Sequence, residues 1–223
     1  MTRLTPCTVL ALTIAFLAVA VTAAGAAVGC TLNDPDRDVL RLFPDATSYR
    51  TEFVSIAERG GDSLATRIET ALGGELDPVF EALDVPYAYY TVLKGTRTIG
   101  RIHGVNQKGM YGGMQLILAT DPSGTIVDFY YQRISSPESA SFRDEAFTDS
   151  FKGLTLPDLM AVLKSETASV PAEAGDALPA CCTVKDPSRE SAEDFDATVR
   201  GITKNLLLLH AFFPVEEHVG QTH

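Results

Sequence analysis

The chain has 223 residues, 45% of them hydrophobic, and a formal net charge of −11 at pH 7. Nucleic acids are bound through clusters of Lys and Arg, and the sequence contains no such cluster, which excludes a nucleic-acid partner. Four scattered cysteines are too few for a disulfide scaffold, so a hydrophobic core must hold the fold together.

The N-terminus is an uncharged apolar run, residues 4–33, with Arg3 as the only charge before it. This pattern is typical of an export signal or signal anchor and predicts an extracytoplasmic, periplasmic domain. Three alternatives stay open for residues 1–33. Residues 8–29 could be retained as a transmembrane anchor, because about 20 apolar residues span a bilayer. In the second alternative Cys30 carries a lipid, because it follows small residues as in a bacterial lipoprotein processing box. In the third, the run is a secretory signal that is cleaved off.

Residues 34–85 are predicted to form a helical N-terminal part of the domain. A short helix after Pro35 ends before Pro44, because proline cannot continue a helix. A second helix is expected over residues 62–72, where the apolar side chains share one face and Gly73-Gly74 follows.

After Pro86 the sequence consists of short stretches rich in aromatic and β-branched residues, and this composition predicts strands. Lys94-Gly95 and residues 121–124 have the composition of tight turns and favour antiparallel hairpins. The predicted strands are residues 87–93, 98–105, 114–120 and 125–134.

Beyond the sheet, residues 139–151 predict a helix, and Pro157 opens another. Residues 166–188 are expected to form a long surface connection, which includes Cys181 and Cys182 as semi-buried thiols. The last helix is amphipathic, and Ser191 provides its N-terminal cap. The predicted fold is therefore α+β, an antiparallel β-sheet flanked by helices and preceded by a membrane anchor or signal segment, with a core over residues 86–213 and a tail over 214–223. The apolar stripe of the last helix consists of Phe195, Val199, Ile202, Leu206, Leu209 and Phe213.

The order of these parts resembles the FMN-binding domain of the membrane-anchored flavin subunits of the Rnf complex and of the sodium-translocating NADH:quinone reductase. The resemblance covers residues 38–153 and, more weakly, the last helix. Its motifs are Phe43-Pro44-Asp45-Ala46, Thr98-Ile99-Gly100, Gly109-Met110-Tyr111-Gly112-Gly113, residues 121–124, residues 132–138, and Phe147 with Phe151-Lys152-Gly153.

The resemblance implies that FMN lies in a crevice between the sheet and the last helix. Glycine permits a close approach of the backbone, and an aromatic side chain can stack on a flavin ring. The residues expected to contact the cofactor at the sheet are Tyr111, Gly112 and Gly113. Those expected in the following loop are Ser136, Pro137 and Glu138.

The family attaches FMN to a threonine, and Arg200-Gly201-Ile202-Thr203 can be laid over that motif with Thr203 at the acceptor position. Arg and Ile replace the Ser and Ala of the family, and Thr203 falls inside the predicted helix. Arg200 and Lys204 could instead hold the phosphate by charge and hydrogen bonds. Noncovalent FMN is therefore favoured over covalent FMN at Thr203.

The four histidines form no pattern with a nucleophile or with each other, so we expect no catalytic residue and no metal site. The predicted function is electron transfer by an extracytoplasmic, membrane-anchored FMN-binding protein, a redox subunit more than a stand-alone enzyme. Two alternatives stay open. One is a flavin-free relative that binds another ligand or a protein, and the other is a structural subunit of a membrane complex.

Overall fold

The computed structural model describes residues 30–76, 82–167 and 184–214. Most of the N-terminal apolar run, Cys181 with Cys182, and the end of the tail lie outside the described residues. The helices are α1 (Pro35–Leu42), α2 (Ile56–Arg59), α3 (Gly61–Leu72), α4 (Ser139–Phe142), α5 (Glu145–Asp149), α6 (Leu156–Thr167) and α7 (Ala192–Phe212). The strands are β1 (Ser48–Val54), β2 (Tyr87–Lys94), β3 (Arg97–Gly109), β4 (Gly112–Thr120) and β5 (Ile126–Arg133).

The strands form one five-stranded antiparallel sheet in the order β1-β2-β3-β4-β5, so each strand pairs with its neighbours in sequence. With helices on its faces, this sheet confirms the α+β architecture. Residues 121–124 form the predicted turn, in which the Asp121 side chain accepts the N–H groups of Ser123 and Thr125. β1 lies in residues 34–85, the part predicted to be helical, between the two helices expected there, and this strand was not predicted from the sequence.

One face of the sheet, the α7 face, carries the larger core. Here α7 packs against β3 and β4 on one side and against α3 and α6 on the other. The predicted stripe of α7 is buried from Phe195 to Leu209, as amphipathicity requires. Because protein surrounds α7 on two sides, polar positions between the stripe residues are buried as well.

The opposite face, the α1 face, carries a smaller core built from α1 and the residues around it. α1 begins with Asp34 as its N-cap, whose side chain accepts the N–H of Arg37, and it ends before Phe43. The Phe43 ring lies on β3 where Gly100 leaves room for it, since any side chain at position 100 would overlap the ring.

The helix predicted over residues 139–151 is divided into α4 and α5. Asp144 has an extended backbone and its side chain accepts the N–H of Ala146, so it caps a new helix within the predicted one. No helix within residues 30–76, 82–167 and 184–214 is both long and apolar enough to cross a bilayer.

Candidate functional site

The β3–β4 hairpin ends in a tight turn between Gly109 and Gly112, which are the last paired residues. Gly112 has φ of +132°, a conformation that side chains disfavour, so the turn depends on glycine there. Met110 and Tyr111 form the tip and are 50% and 47% exposed. The tip therefore presents an apolar and an aromatic side chain to the surroundings.

The loop after β5 lies beside this turn. Ser135 donates a hydrogen bond from its Oγ to the carbonyl of Gly113 at 3.3 Å. A Cβ at Gly112 would lie 3.4 Å from the Ser135 Cβ, so the two segments are in direct contact. Ser136 is buried and accepts the N–H of Glu138 at 3.3 Å, while Pro137 is exposed.

Glu138 connects the same loop by hydrogen bonds to the residues just before α7. Its carboxylate accepts the N–H groups of Arg189 at 2.9 Å and Glu190 at 3.0 Å. The N–H groups of Glu190 and Arg189 hold the pKa of the Glu138 carboxyl below its usual value. The hairpin tip, the loop 135–138 and residues 189–194 thus form one cluster, which we name the tip site.

Asp194, in the first turn of α7, completes the tip site. It is 1% exposed, and its Oδ1 accepts the N–H of Met110 at 2.7 Å. A side chain at Gly109 would come within 2.5 Å of this oxygen, so glycine is needed for the approach. Among the described residues no donor reaches Oδ2, which leaves a buried carboxylate oxygen able to accept a hydrogen bond. From the sequence, Asp194 is recognisable only as an acidic residue in the first turn of a predicted helix.

One turn after Asp194, α7 is bound to β5 through the hydroxyl groups of Thr198 and Tyr131. Thr198 donates to the carbonyl of Asp194 at 2.7 Å, and its oxygen lies 2.8 Å from the Tyr131 hydroxyl. Burial raises the pKa of Tyr131, so the phenol stays protonated at any physiological pH. These contacts fix the beginning of α7 against the sheet and hold the tip site in shape.

Three exposed basic residues lie in the chain segments that form the tip site or next to them. Lys108 pairs with Gly113 in the hairpin, Arg133 precedes the 135–138 loop by two residues, and Arg189 donates its N–H to Glu138. A guanidinium or ammonium group beside a polar cluster can attract an anion such as a phosphate. No motif in the sequence marks these residues, because each is an isolated basic residue.

Arg200 lies away from the tip site, on the side of α7 that faces α3. Its guanidinium donates to the carbonyl of Leu72 at 3.1 Å and to the carbonyl of Glu75. These carbonyls lie at and just beyond the end of α3, where carbonyl groups lack helical partners. Arg200 therefore stabilises a helix end inside the domain.

Thr203 and Lys204 are interior residues. Thr203 is 0% exposed, and its hydroxyl donates to the Val199 carbonyl one turn earlier at 2.8 Å. Lys204 is 1% exposed and donates to the Asn106 carbonyl of β3 at 2.5 Å. A transferase would not reach the Thr203 hydroxyl in this conformation.

Next to Lys204 lies a buried polar contact that sequence reasoning missed. His103 on β3 is fully buried, with its Nδ1 2.8 Å from the Asn205 Oδ1, and Asn205 donates in turn to the His103 carbonyl at 3.0 Å. The ring stacks on Tyr89 with centroids 4.0 Å apart. No signal pairs His103 with Asn205 in the sequence, because they are 102 positions apart.

The structure thus brings six predicted residues together at the tip site and places three elsewhere. Tyr111, Gly112, Gly113, Ser136, Pro137 and Glu138 form the first group, and Arg200, Thr203 and Lys204 the second. Within the described ranges, no group of three or more His, Cys, Asp or Glu side chains could hold a metal ion. No protein-family model matches this chain, and no curated protein matches it either.

Proposed function

We propose that this chain is an extracytoplasmic electron-transfer protein, anchored by its N-terminal apolar run, that binds FMN noncovalently at the tip site. The observation that supports the proposal is the meeting of six expected flavin contacts around one end of α7. They come from the hairpin tip and from a loop more than 20 positions later in the sequence.

The residues of the tip site fit the chemical groups of FMN. Tyr111 offers an exposed ring face for stacking, and glycine at positions 112 and 113 lets the backbone approach the flavin closely. Arg189, which is exposed and donates its backbone N–H to Glu138, would hold the phosphate, the role that Arg200 and Lys204 were expected to have. Bound FMN would supply the redox chemistry, while these side chains would bind, orient and shield it.

The test is the absorption spectrum of the purified full chain before and after acid precipitation, with FMN added in excess. Noncovalent FMN leaves with the supernatant. Tyr111→Ser should weaken FMN binding at least about tenfold, which corresponds to about 1.4 kcal/mol of lost stacking. The control is Phe53→Ser, which removes an equally exposed aromatic residue from another part of the surface. A protein that takes up no FMN refutes the proposal, and so does binding that survives Tyr111→Ser and is lost in Arg200→Met.

A second candidate is a flavin-free subunit that contacts a partner protein of a membrane complex through the hairpin tip. The exposure of Met110 and Tyr111, each about half, favours it, because ligand pockets usually enclose most of their ligand. Co-purification from gently solubilised membranes tests this candidate. A partner that is retained by the wild-type chain and lost in Met110→Ser with Tyr111→Ser would support it, and retention in the double variant would contradict it.

A further inference from the structure

The first described residue, Cys30, is part of the core of the α1 face. It is 2% exposed, and its Sγ lies 2.7 Å from the position that a Cβ would take at Gly104. The sulfur therefore packs directly on β3 because residue 104 is glycine. The described part of the chain therefore begins on the sheet, in contact with β3.

The residues that follow Cys30, which we name the strap (residues 30–33), are bound to the sheet by hydrogen bonds. Leu32 donates its N–H to the Tyr90 hydroxyl at 3.3 Å. Gln132 accepts the N–H of Asn33 at 3.0 Å and donates to the carbonyl of Thr31 at 2.8 Å. These contacts reach β2 and β5, so the direction of the strap over the α1 face is fixed.

The apolar run of residues 8–29 ends immediately before the strap. If this run is the anchor of the proposed function, no linker separates the bilayer from the folded domain. One residue spans at most about 3.6 Å, so the sheet at Cys30 lies within a few residues, roughly 10 Å, of the membrane surface. A domain held that closely presents one face to the bilayer.

The α1 face also carries exposed apolar side chains. Phe53 is 56% exposed and points to this face, since the adjacent Val54 packs in the core of the α7 face. Leu40 of α1 is 55% exposed and lines an apolar cleft of about 340 Å³ with Val39 and Tyr49. Both side chains lie on the face where the strap runs.

We propose that the α1 face is the membrane-docking surface of this domain, with Leu40 and Phe53 at the phospholipid interface. The proposal rests on the anchoring part of the proposed function and is independent of flavin. Acidic and basic residues alternate on α1, with Asp36 and Asp38 beside Arg37 and Arg41. Docking is therefore held by the tether and by apolar contact, in contrast to a polybasic segment, and is insensitive to salt.

Burial of Cys30 distinguishes between the anchor types as well. Lipoprotein processing attaches a lipid to the cysteine sulfur, and here the sulfur lies between the strap and Gly104. A lipid on this atom would require the strap to leave the sheet. If the strap stays on the sheet during docking, the anchor is therefore the retained apolar run and not a lipid on Cys30.

The test uses the full chain reconstituted into vesicles of phosphatidylcholine and phosphatidylglycerol, with part of the phosphatidylcholine brominated on its acyl chains. The protein contains no tryptophan, so one introduced tryptophan reports alone. Phe53→Trp places the reporter on the proposed surface, and Leu40→Trp is a second such reporter. Ala161→Trp is the matched control, because Ala161 is exposed on α6, which packs on the other side of the sheet.

We expect bromine to lower the emission of Phe53→Trp and Leu40→Trp about twofold, at low and at high salt, and to leave Ala161→Trp unchanged, since interfacial side chains lie about 5–10 Å deep. Flotation of each variant with the vesicles is measured in parallel. Variants that float and show equal quenching at all three positions refute the docking face and leave anchoring intact. A chain that does not float refutes anchoring and docking together. Flavin binding is tested independently by the absorption spectrum, so its failure can be told apart from a failure of docking.

Discussion

Acidification should destabilise the fold through the buried histidine His103. Its ring is enclosed between Tyr89 and α7 and has no contact with solvent. Burial, together with the charge of Lys204, lowers the pKa of His103 from 6.5 to about 3, although its hydrogen bond with Asn205 acts in the opposite direction. The native protein therefore keeps this imidazole neutral at pH values where an unfolded chain protonates it.

The magnitude follows from proton linkage. Because the folded-state pKa is depressed, the unfolded state binds more protons below pH 6.5, and the stability contributed by His103 is complete above that pH. It is lost progressively as the pH falls from 6.5 towards 3. With 1.36 kcal/mol per pKa unit, the loss between pH 7 and pH 5 is about 2 kcal/mol from this group alone.

The assay is urea unfolding of the full chain in a mild nonionic detergent at pH 7 and pH 5, followed by far-ultraviolet circular dichroism. His103→Gln keeps a hydrogen-bonding side chain and removes the titration, so its free energy of unfolding should fall by about 2 kcal/mol less than that of the wild type over the same pH interval. His210→Gln is the control, since His210 is exposed on α7. The carboxylates titrate alike in all three proteins and cancel in the comparison.

Equal pH dependence in the wild type and His103→Gln would refute the reasoning, because the buried neutral histidine would then contribute nothing to it. If the pH dependence disappears in His210→Gln and persists in His103→Gln, it does not come from His103, and the prediction is wrong. The comparison uses differences between two pH values, so a general destabilisation by His103→Gln does not disturb it.

Arg200→Met removes both hydrogen bonds to the end of α3 and should lower the free energy of unfolding by about 1–3 kcal/mol in urea titration. The affinity for FMN should stay unchanged. A loss of affinity of about tenfold would instead place the phosphate at Arg200. Gly201→Ala should cost about 1–3 kcal/mol, because the added Cβ overlaps Leu116 on β4. Gly113→Ala, where the Cβ meets nothing within 4 Å, should be nearly neutral in the same titration, and equal costs would contradict this packing. Thr203→Val should leave acid-resistant flavin absorption at the wild-type level, and its loss would show covalent attachment at that buried hydroxyl.

Several parts of the fold were predictable because their signals are local. The start of α1 at Pro35, the turn at residues 121–124 and the stripe of α7 each depend on residues close together in sequence, and the structure confirms them. β1 was missed because it is an edge strand with exposed Arg50, Thr51 and Phe53, and so lacks the apolar pattern of an interior strand.

The class of the fold can be read from local patterns, since helix caps, hairpin turns and apolar periodicity act over a few residues. The resemblance to FMN-binding domains, and not a local pattern, led to the expectation that the hairpin tip and residues 136–138 share one site. The surroundings of α7 depend on contacts between residues that are far apart in sequence. Arg200 binds the end of α3, Thr203 binds a carbonyl of α7 and Lys204 binds β3, so none of them lies at the tip site. The buried carboxylate at the tip site is that of Asp194. These outcomes depend on partners up to 128 residues away, and no local pattern encodes such contacts.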